Sequence, residues 1–379
     1  MSTSSKIKVM FIIARMNVGG PAVLVSDLMR NLNASEIEAK LITGFCDDSE
    51  SDYLNEVATD INATRIPGLG RSVSLWKDLK AFFLVLREIR RFRPDVIHTH
   101  TAKAGVIGRI AGFIARPSAK RIHTFHGHLL HGYFGPKKVQ AIVMLERALG
   151  LITFKFIAIG NTVKRDLIQV RIAKEDKFET IFPGLQKLDV YEQDVARKVL
   201  HLDPKKIYIV FVGRLTQIKR PDRLIDLARS LKMEKTSPHI VVAGAGEMLE
   251  ELTELASRES LPITFLGWRS DIGMILSASD IAVLCSDNEG IPLTLIQASQ
   301  AGLPIVSTNV GSVNDIVLDG ITGLLTQVSS DDFIQKVSML LNEPAIGARL
   351  GKAGQERARD MFSSKVMVRS HEELYSRSL

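Results

Sequence analysis

The residues best suited to chemistry lie between Ser279 and Gly311, in the stretch SDIAVLCSDNEGIPLTLIQASQAGLPIVSTNVG. Glu289 and Gln297 stand in it with seven residues between them, one before and one after Pro292. The free backbone amides of Leu293 and Thr294, at the start of a predicted helix, would face an anion such as a diphosphate. The stretch therefore predicts a phosphate site that Glu289 and Gln297 flank on two sides.

The elements around this site follow from the apolar pattern. The run Ile281–Cys285 indicates a strand buried on both faces of a parallel sheet. Pro292 suits the first position of a helix that Gly302 ends, and a second apolar run follows at 304–306. In open parallel sheets ligands bind at the carboxyl ends of the strands, so the polar loop after the first strand is in the expected place.

Two cations form a second candidate site after another predicted strand. Arg214 follows Phe211-Val212-Gly213, and Lys219 comes five residues later. Arg and Lys stabilise negative charge that develops on a leaving group where no metal is bound. An ordinary pair of charges at a helix start is the competing interpretation.

Histidines are concentrated in one part of the chain, since six of the nine lie between His98 and His131. His98 and His100 share one face of a strand end, and in principle either could bind a metal. No Asp or Glu lies between Asp95 and Glu146, so such a site would be made of histidine alone, and we expect no metal. For His98, His123 and His131 we favour a structural role.

Length and composition favour a soluble chain of two domains. The 379 residues exceed what one core usually holds, and no run approaches a membrane span. Strands alternate with amphipathic helices from Lys6, break at Phe182-Pro183-Gly184-Leu185, and then resume, which predicts two doubly wound α/β domains. Cys46 and Cys285 fall in different halves and suit reduced thiols in a cytoplasmic protein.

Positive charge is concentrated in the first half. Residues 1–190 carry a net charge of +10 and the rest −3, and Lys77 to Arg147 holds fourteen Lys or Arg against four Asp or Glu. Aromatic residues are interleaved with this basic stripe, among them Trp76, Phe83 and Tyr133. A solvated helix face and the anionic face of a membrane are equally favoured, with nucleic acid a lesser alternative.

The spacing of Glu289 and Gln297 in NEGIPLTLIQASQAGLPIV resembles the E-x7-E signature of the retaining family-four glycosyltransferases, which have the GT-B fold. The departure is the second acid, here Gln297. The resemblance implies that Glu289 contacts the donor sugar and Gln297 the ribose, with Gly290, Ile291, Leu293 and Thr294 beside the phosphates. An amide can still accept from one hydroxyl and donate to another.

The same resemblance extends to other motifs in the family's order. It implies that Arg214 and Lys219 hold the diphosphate, and that His126, in HTFHG, projects towards the donor sugar. The remaining implied donor contacts are Gly19, Gly20, Gly246, Glu247, Trp268 and Arg269. The segment Thr99–Gly105 resembles that of members building cell-surface polysaccharides and puts His100 and Lys103 on the acceptor side. Leu249 takes the place of a third glycine after Gly244 and Gly246, which disfavours a nicotinamide site.

The resemblance implies two facing Rossmann-like domains with a cleft between them: an acceptor-side domain at 1–184, with a helix at 363–379 crossing back onto it, and a nucleotide-sugar domain at 185–362. The implied enzyme is retaining, needs no metal or cofactor, and moves a hexose or N-acetylhexosamine from a UDP-sugar to a polyprenyl-diphosphate-linked or other glycan acceptor. It would work in the cytoplasm at the inner membrane face, without nucleic acid. The alternatives are a GT-B sugar-nucleotide epimerase and a non-catalytic nucleotide-sugar-binding protein.

Overall fold

The computed structural model describes residues 6–48, 50–127, 135–232 and 238–379. The chain divides into two compact units, one made of Met1–Gly184 with Ser364–Leu379 and the other of Leu185–Ser363. His131, for which we favour a structural role, and Tyr133 of the basic stripe lie outside the described residues.

The first unit is built on a seven-stranded sheet in which all neighbouring strands are parallel, in the order β3-β2-β1-β4-β5-β6-β7. Its strands are β1 (Ile7–Ile13), β2 (Ile37–Thr43), β3 (Ala63–Arg65), β4 (Val96–His100), β5 (Lys120–Phe125), β6 (Lys155–Ala158) and β7 (Phe178–Thr180). Its helices in this part of the chain are α1 (Gly20–Asn31), α2 (Tyr53–Glu56), α3 (Leu75–Phe92), α4 (Ala102–Ala115), α5 (Pro136–Ile152) and α6 (Asn161–Gln169).

The second unit repeats this architecture with six parallel strands in the order β10-β9-β8-β11-β12-β13. Its strands are β8 (Tyr208–Val212), β9 (His239–Ala243), β10 (Ile263–Phe265), β11 (Ile281–Leu284), β12 (Ile305–Thr308) and β13 (Leu324–Thr326). Its helices are α7 (Gln193–Val199), α8 (Asp222–Leu231), α9 (Leu249–Arg258), α10 (Ile272–Ser277), α11 (Leu293–Gln300), α12 (Val313–Ile316), α13 (Ser330–Asn342) and α14 (Pro344–Met361).

The last helix, α15 (Ser364–Arg377), belongs to the first unit and packs on α1. Tyr375 from this helix is fully buried, and its hydroxyl lies 2.7 Å from Nδ1 of His98 on β4. The two parallel sheets with covering helices confirm the predicted α/β fold class with Rossmann-like domains. The central strands β4 and β11 are buried along their whole length. The apolar run of β11 is typical of a strand covered on both faces, whereas β4 buries His98, Thr99 and His100 as well.

One local prediction at the site is wrong by a residue. Pro292 is the N-cap of α11, with an extended backbone at φ −76° and ψ 109°, and the helix begins at Leu293. A proline fixes φ near the helical value but leaves ψ free, so it serves on either side of the helix start. The first two helical amides are consequently those of Leu293 and Thr294.

Candidate functional site

Glu289 is the centre of the polar groups at the carboxyl edge of the second sheet. Its side chain lies buried in the loop between β11 and α11, and Oε1 accepts hydrogen bonds of 2.6 Å from both Lys219 Nζ and Ser286 Oγ. Lys219 comes from the short 3₁₀ turn Gln217–Lys219 after β8. Adjacent strands β8 and β11 thus bring together two predicted residues that are 70 positions apart.

The loop that carries Glu289 is fixed by its neighbours. The Thr308 hydroxyl donates to the Ser286 carbonyl at 2.7 Å, and the Asp287 amide donates to the Ile218 carbonyl at 2.9 Å. Gly311 has φ +56°, and a Cβ there would lie 1.7 Å from the Glu289 carbonyl oxygen. Sequence reasoning missed Ser286 and Gly311, because their partners are set by how two loops meet.

Cys285 has a structural role beside this loop. Its thiol donates to the carbonyls of Lys219 and Arg220, with sulfur–oxygen distances of 3.5 and 3.1 Å. Burial raises the pKa of Cys285 well above its usual range, so the thiol keeps the proton that it donates. It holds the backbone of Lys219 in place, and both cysteines are free thiols.

Arg214 differs from Lys219, which is paired with Glu289, in having no carboxylate partner among the described residues. Its side chain is exposed after β8, and no ion pair or side-chain hydrogen bond to it is found in the described part of the chain. A guanidinium with no internal partner keeps its full donor set for an external anion.

The start of α11 supplies further donors in the same place. Leu293 and Thr294 are half-buried, and the amides of a first helical turn have no acceptor within the helix. Gln297 is half-buried in the second turn. Gly290 and Ile291 precede the helix, and the Ile291 side chain is buried, so only its backbone is left for a ligand.

The other predicted donor residues lie on the loops after β9 and β10. A Cβ on Gly246 would lie 2.3 Å from the Leu215 carbonyl oxygen, so glycine is required there for the β8 and β9 loops to pack together. Glu247 is exposed, as is Trp268, while Arg269 is paired with Asp271 through a 2.8 Å bond from Nε. Strand β9 lies next to β8 in the sheet, and β10 pairs with β9 at the sheet edge.

In the first unit the structure joins His126 to His100. Nδ1 of His100 and Nε2 of His126 are 2.8 Å apart, and the other nitrogens, His100 Nε2 and His126 Nδ1, are buried without a partner among the described residues. Both rings line a cavity of about 20 Å³. Burial lowers the pKa of His126 to about 4, so at neutral pH it is an uncharged imidazole that donates and accepts hydrogen bonds.

The neighbouring histidines are packed and hydrogen-bonded. Nε2 of His98 lies 2.7 Å from Thr124 Oγ1, and Nδ1 of His123 lies 2.9 Å from Thr99 Oγ1. Gly105 makes room for the His123 ring, since a Cβ there would lie 2.5 Å from Cε1. The described residues contain no group of three metal-ligating side chains.

The remaining predicted residues of this unit lie at the starts of α1 and α4. Gly19 is the N-cap of α1, and a Cβ built on it would meet only the Asn17 carbonyl at 3.9 Å, so the protein itself leaves this space open beside Gly20. Lys103 is not free, because Nζ bonds the Ser72 carbonyl and Asp78 Oδ1, each at 2.5 Å.

Among the described helices, none is long and apolar enough to cross a bilayer.

Family models match both units of the chain. Residues 18–186 match the model described as Glycosyltransferase Family 4, and residues 192–357 match Glycosyl transferases group 1. The chain belongs to the family-four glycosyltransferases.

Individual relatives agree with this membership. The chain is 28% identical over 359 residues to the UDP-Gal:alpha-D-GlcNAc-diphosphoundecaprenol alpha-1,3-galactosyltransferase of Escherichia coli, covering 91% of this chain and 90% of that protein. It is 25% identical to the capsular polysaccharide biosynthesis glycosyltransferase CapM of Staphylococcus aureus, covering 86% of each. The crystal structure of HepE from Anabaena with UDP superposes with a TM-score of 0.82 at 20% identity, covering 98% of this chain and all of that one, which supports the GT-B fold.

Proposed function

We propose that this glycosyltransferase is a retaining, metal-independent enzyme that moves a hexose or N-acetylhexosamine from a UDP-sugar to a lipid-linked or other glycan acceptor. The observation that carries the proposal is the contact of Lys219 and Ser286 with Glu289, beside the start of α11. The UDP of the HepE complex and the UDP-Gal in the name of the Escherichia coli relative support uracil as the nucleobase of the sugar donor.

The proposed chemistry uses these groups as follows. The bond between the sugar C1 and the diphosphate breaks, while the acceptor oxygen bonds to C1 on the same face and its proton passes to the departing phosphate oxygen. Arg214 and Lys219 stabilise the charge that grows on the diphosphate, as do the amides of Leu293 and Thr294. Glu289 orients the sugar. In the first unit, His126 is an uncharged imidazole that is able to hydrogen-bond a sugar hydroxyl.

We infer that the enzyme acts in surface-polysaccharide assembly, on an acceptor carried by a polyprenyl diphosphate at the inner face of the membrane. The diphosphoundecaprenol in the name of the Escherichia coli relative and the capsular role in the name of CapM support this inference. The net charge of +10 in residues 1–190 favours an anionic surface as well.

The test is the slow hydrolysis of a panel of nucleotide sugars by the purified protein in the presence of a chelator. We expect one sugar nucleotide to be hydrolysed and Glu289→Ala and Arg214→Ala each to lower the rate at least about a hundredfold, because each removes a charged contact to the donor. Glu250→Ala and Arg258→Ala, which remove exposed charges from α9, are the matched controls. Equal loss in the controls, or a rate that depends on metal, would contradict the proposal.

The substitution Gln297→Glu separates the enzyme from a non-catalytic binding protein. A carboxylate accepts from both ribose hydroxyls, so in an enzyme we expect a lower KM for the donor with turnover retained. A binding protein would gain affinity without turnover. An epimerase would release an altered sugar nucleotide with no acceptor present, which chromatography of the products would reveal.

A further inference from the structure

A stripe of apolar side chains on and just before α3 is exposed to solvent. Their exposed fractions are 85% for Val73, 78% for Leu75, 79% for Trp76, 44% for Leu79 and 58% for Phe83. Spacings of three, four and seven residues put the four helical members on one side of α3. We call these five residues the α3 face. Contiguous exposed apolar surface on a folded protein marks an interaction site, unlike single scattered residues.

Positive charge surrounds the α3 face. Residues 71–93 contain seven Lys or Arg and only two acids, and both acids have inward partners: Asp78 with Lys103 at 2.5 Å and Glu88 with Lys40 at 2.7 Å. Lys77 and Lys80 are exposed beside the apolar stripe, and no carboxylate pairs with either in the described ranges. The outward side of α3 therefore offers apolar and cationic groups together.

We propose that the α3 face is the surface through which this glycosyltransferase docks on an anionic lipid bilayer. The inference rests on the proposed function, which puts the acceptor in a membrane. Leu75, Trp76 and Phe83 would enter the boundary between headgroups and acyl chains, while Lys77 and Lys80 bind lipid phosphates. Exposed Val and Leu side chains match acyl chains and have no use on a nucleic-acid backbone, so the apolar stripe favours lipid over nucleic acid.

The position of the α3 face relative to the first sheet agrees with a role in membrane docking. Helix α3 follows β3 and precedes the parallel strand β4, so its first turn lies at the carboxyl edge of the sheet, where β4 ends at His100. Lys103 connects the two, because its ammonium bonds the Ser72 carbonyl just before α3. A lipid-linked diphosphate leaving the bilayer beside Trp76 would therefore arrive at the edge that carries His100.

Trp76 allows docking to be observed directly. The chain has two tryptophans, so Trp268→Phe leaves Trp76 as the single emitter. With vesicles of phosphatidylglycerol and phosphatidylcholine we expect a blue shift of the Trp76 emission and quenching by brominated acyl chains. With phosphatidylcholine alone we expect binding to fall at least about tenfold, because each Lys or Arg near an anionic surface contributes to attraction.

Two double variants test the face in otherwise native protein. Trp76→Ser with Phe83→Ser removes apolar contact, and Lys77→Glu with Lys80→Glu reverses charge; each should lower partitioning into anionic vesicles at least about tenfold. The controls are Met144→Ser, at another apolar side chain, which is 63% exposed on α5, and Lys352→Glu on α14. Partitioning is measured by vesicle co-sedimentation without substrate.

The outcomes keep docking and catalysis apart. Loss of vesicle binding in the two face variants alone, with unchanged hydrolysis of soluble donor, supports the proposal. Absence of binding by the native protein, equal binding by all variants, or preference for duplex or single-stranded DNA over vesicles would overturn it. If the native protein hydrolyses a donor but ignores vesicles, only the docking inference fails; if it binds vesicles but hydrolyses no donor, only the proposed reaction fails.

Discussion

Glu289 is oriented before any ligand arrives, because one of its oxygens already receives two short hydrogen bonds. Oε1 is shared by Lys219 and Ser286, and the side chain is only 7% exposed. A buried carboxylate is stable only when it is paired in this way. Within the described chain no group donates to Oε2, so Oε2 is the oxygen left for the sugar hydroxyl of the proposed reaction. Such preorganisation is what makes fixed polar groups effective in a reaction.

Ser286 should therefore act as a positioning residue for Glu289. In Ser286→Ala we expect kcat for donor hydrolysis to fall about tenfold or more with a small change in KM, because a hydrogen bond to a charged group contributes about 1.5–3 kcal/mol. Steady-state kinetics with the donor identified by the panel would measure both constants.

The control for this serine is Ser277→Ala on α10. Ser277 is also nearly buried and its hydroxyl makes two hydrogen bonds, to Gly273 and from Tyr191, but it does not touch Glu289. Ser286→Thr keeps the hydroxyl and should restore most of the rate. A rate that falls equally in Ser277→Ala, or that Thr does not restore, would show that Ser286 acts only through stability.

At the scale of elements, the second unit depends on loops that pack backbone against backbone at one sheet edge. The Leu215 amide donates to the Ala245 carbonyl at 3.0 Å, and the Ser312 amide to the Gly290 carbonyl at 3.0 Å. Gly246 and Gly311 allow these approaches, since a Cβ at either position would overlap a carbonyl oxygen of the facing loop. Gly311 and Gly246 thereby fix the backbone positions of Glu289 and of the loop after β8.

Gly311→Ala should displace the Glu289 loop. The position combines φ +56° with a Cβ that would lie 1.7 Å from the Glu289 carbonyl oxygen, so both strain and overlap oppose alanine. We expect the rate of donor hydrolysis to fall about a hundredfold, because a small misplacement of a reacting group lowers the rate by about that factor. Gly320→Ala is the matched control, because Gly320 has φ +70° but no atom within 4 Å of its built Cβ. Equal loss of activity in both variants would mean that backbone strain, rather than crowding of Glu289, is responsible.

The sequence was informative about elements and about charged groups, and less so about their partners. The predicted alternation of strands and helices on either side of the break at Phe182-Pro183-Gly184-Leu185 is confirmed by the two parallel sheets, because apolar spacing is a local signal. The predicted strand 281–285 ends one residue earlier, and Pro292 caps α11 from outside, since helix ends depend on ψ angles that no side chain fixes. The bonds of Ser286 and the crowding at Gly311 arise from loops that only the folded sheet brings together.

At the scale of the whole molecule, the first unit uses both ends of the chain. Helix α15 brings His371 and Tyr375 against β4, and the ring of His98 lies 5.7 Å from that of His371 and 4.2 Å from that of His100. The contacts of His371 and Tyr375 with His98 join residues more than 270 positions apart, so no periodicity in the sequence could indicate them. The sequence predicts His126, His100 and a helix at 363–379 on the first domain. The 2.8 Å contact between the two imidazoles, and the burial of His371 and Tyr375 beside them, follow only from the topology.

The buried histidines should make the stability of this unit depend on pH. Burial lowers the pKa of His371 from 6.5 to about 4, and the nearby rings of His98 and His126 are shifted the same way, chiefly by burial. As pH falls below 6.5 the unfolded chain binds the proton first, so stability is full above 6.5 and is lost between 6.5 and about 4. At about 1.4 kcal/mol per pH unit, His371 alone accounts for up to about 3 kcal/mol.

His371→Phe should flatten this dependence, because the folded unit then loses one group that resists protonation. Hydrogen exchange of the β4 amides, followed between about pH 7 and about pH 4.5, measures the opening free energy of this unit separately from the other. We expect its slope against pH to decrease by up to one proton relative to the native protein. His201→Asn, at an exposed histidine of the second unit, should leave the slope unchanged. An unaltered slope in His371→Phe would mean that His371 titrates alike in the folded and unfolded chain. The charge of His371 would then have no effect on how strongly α15 packs.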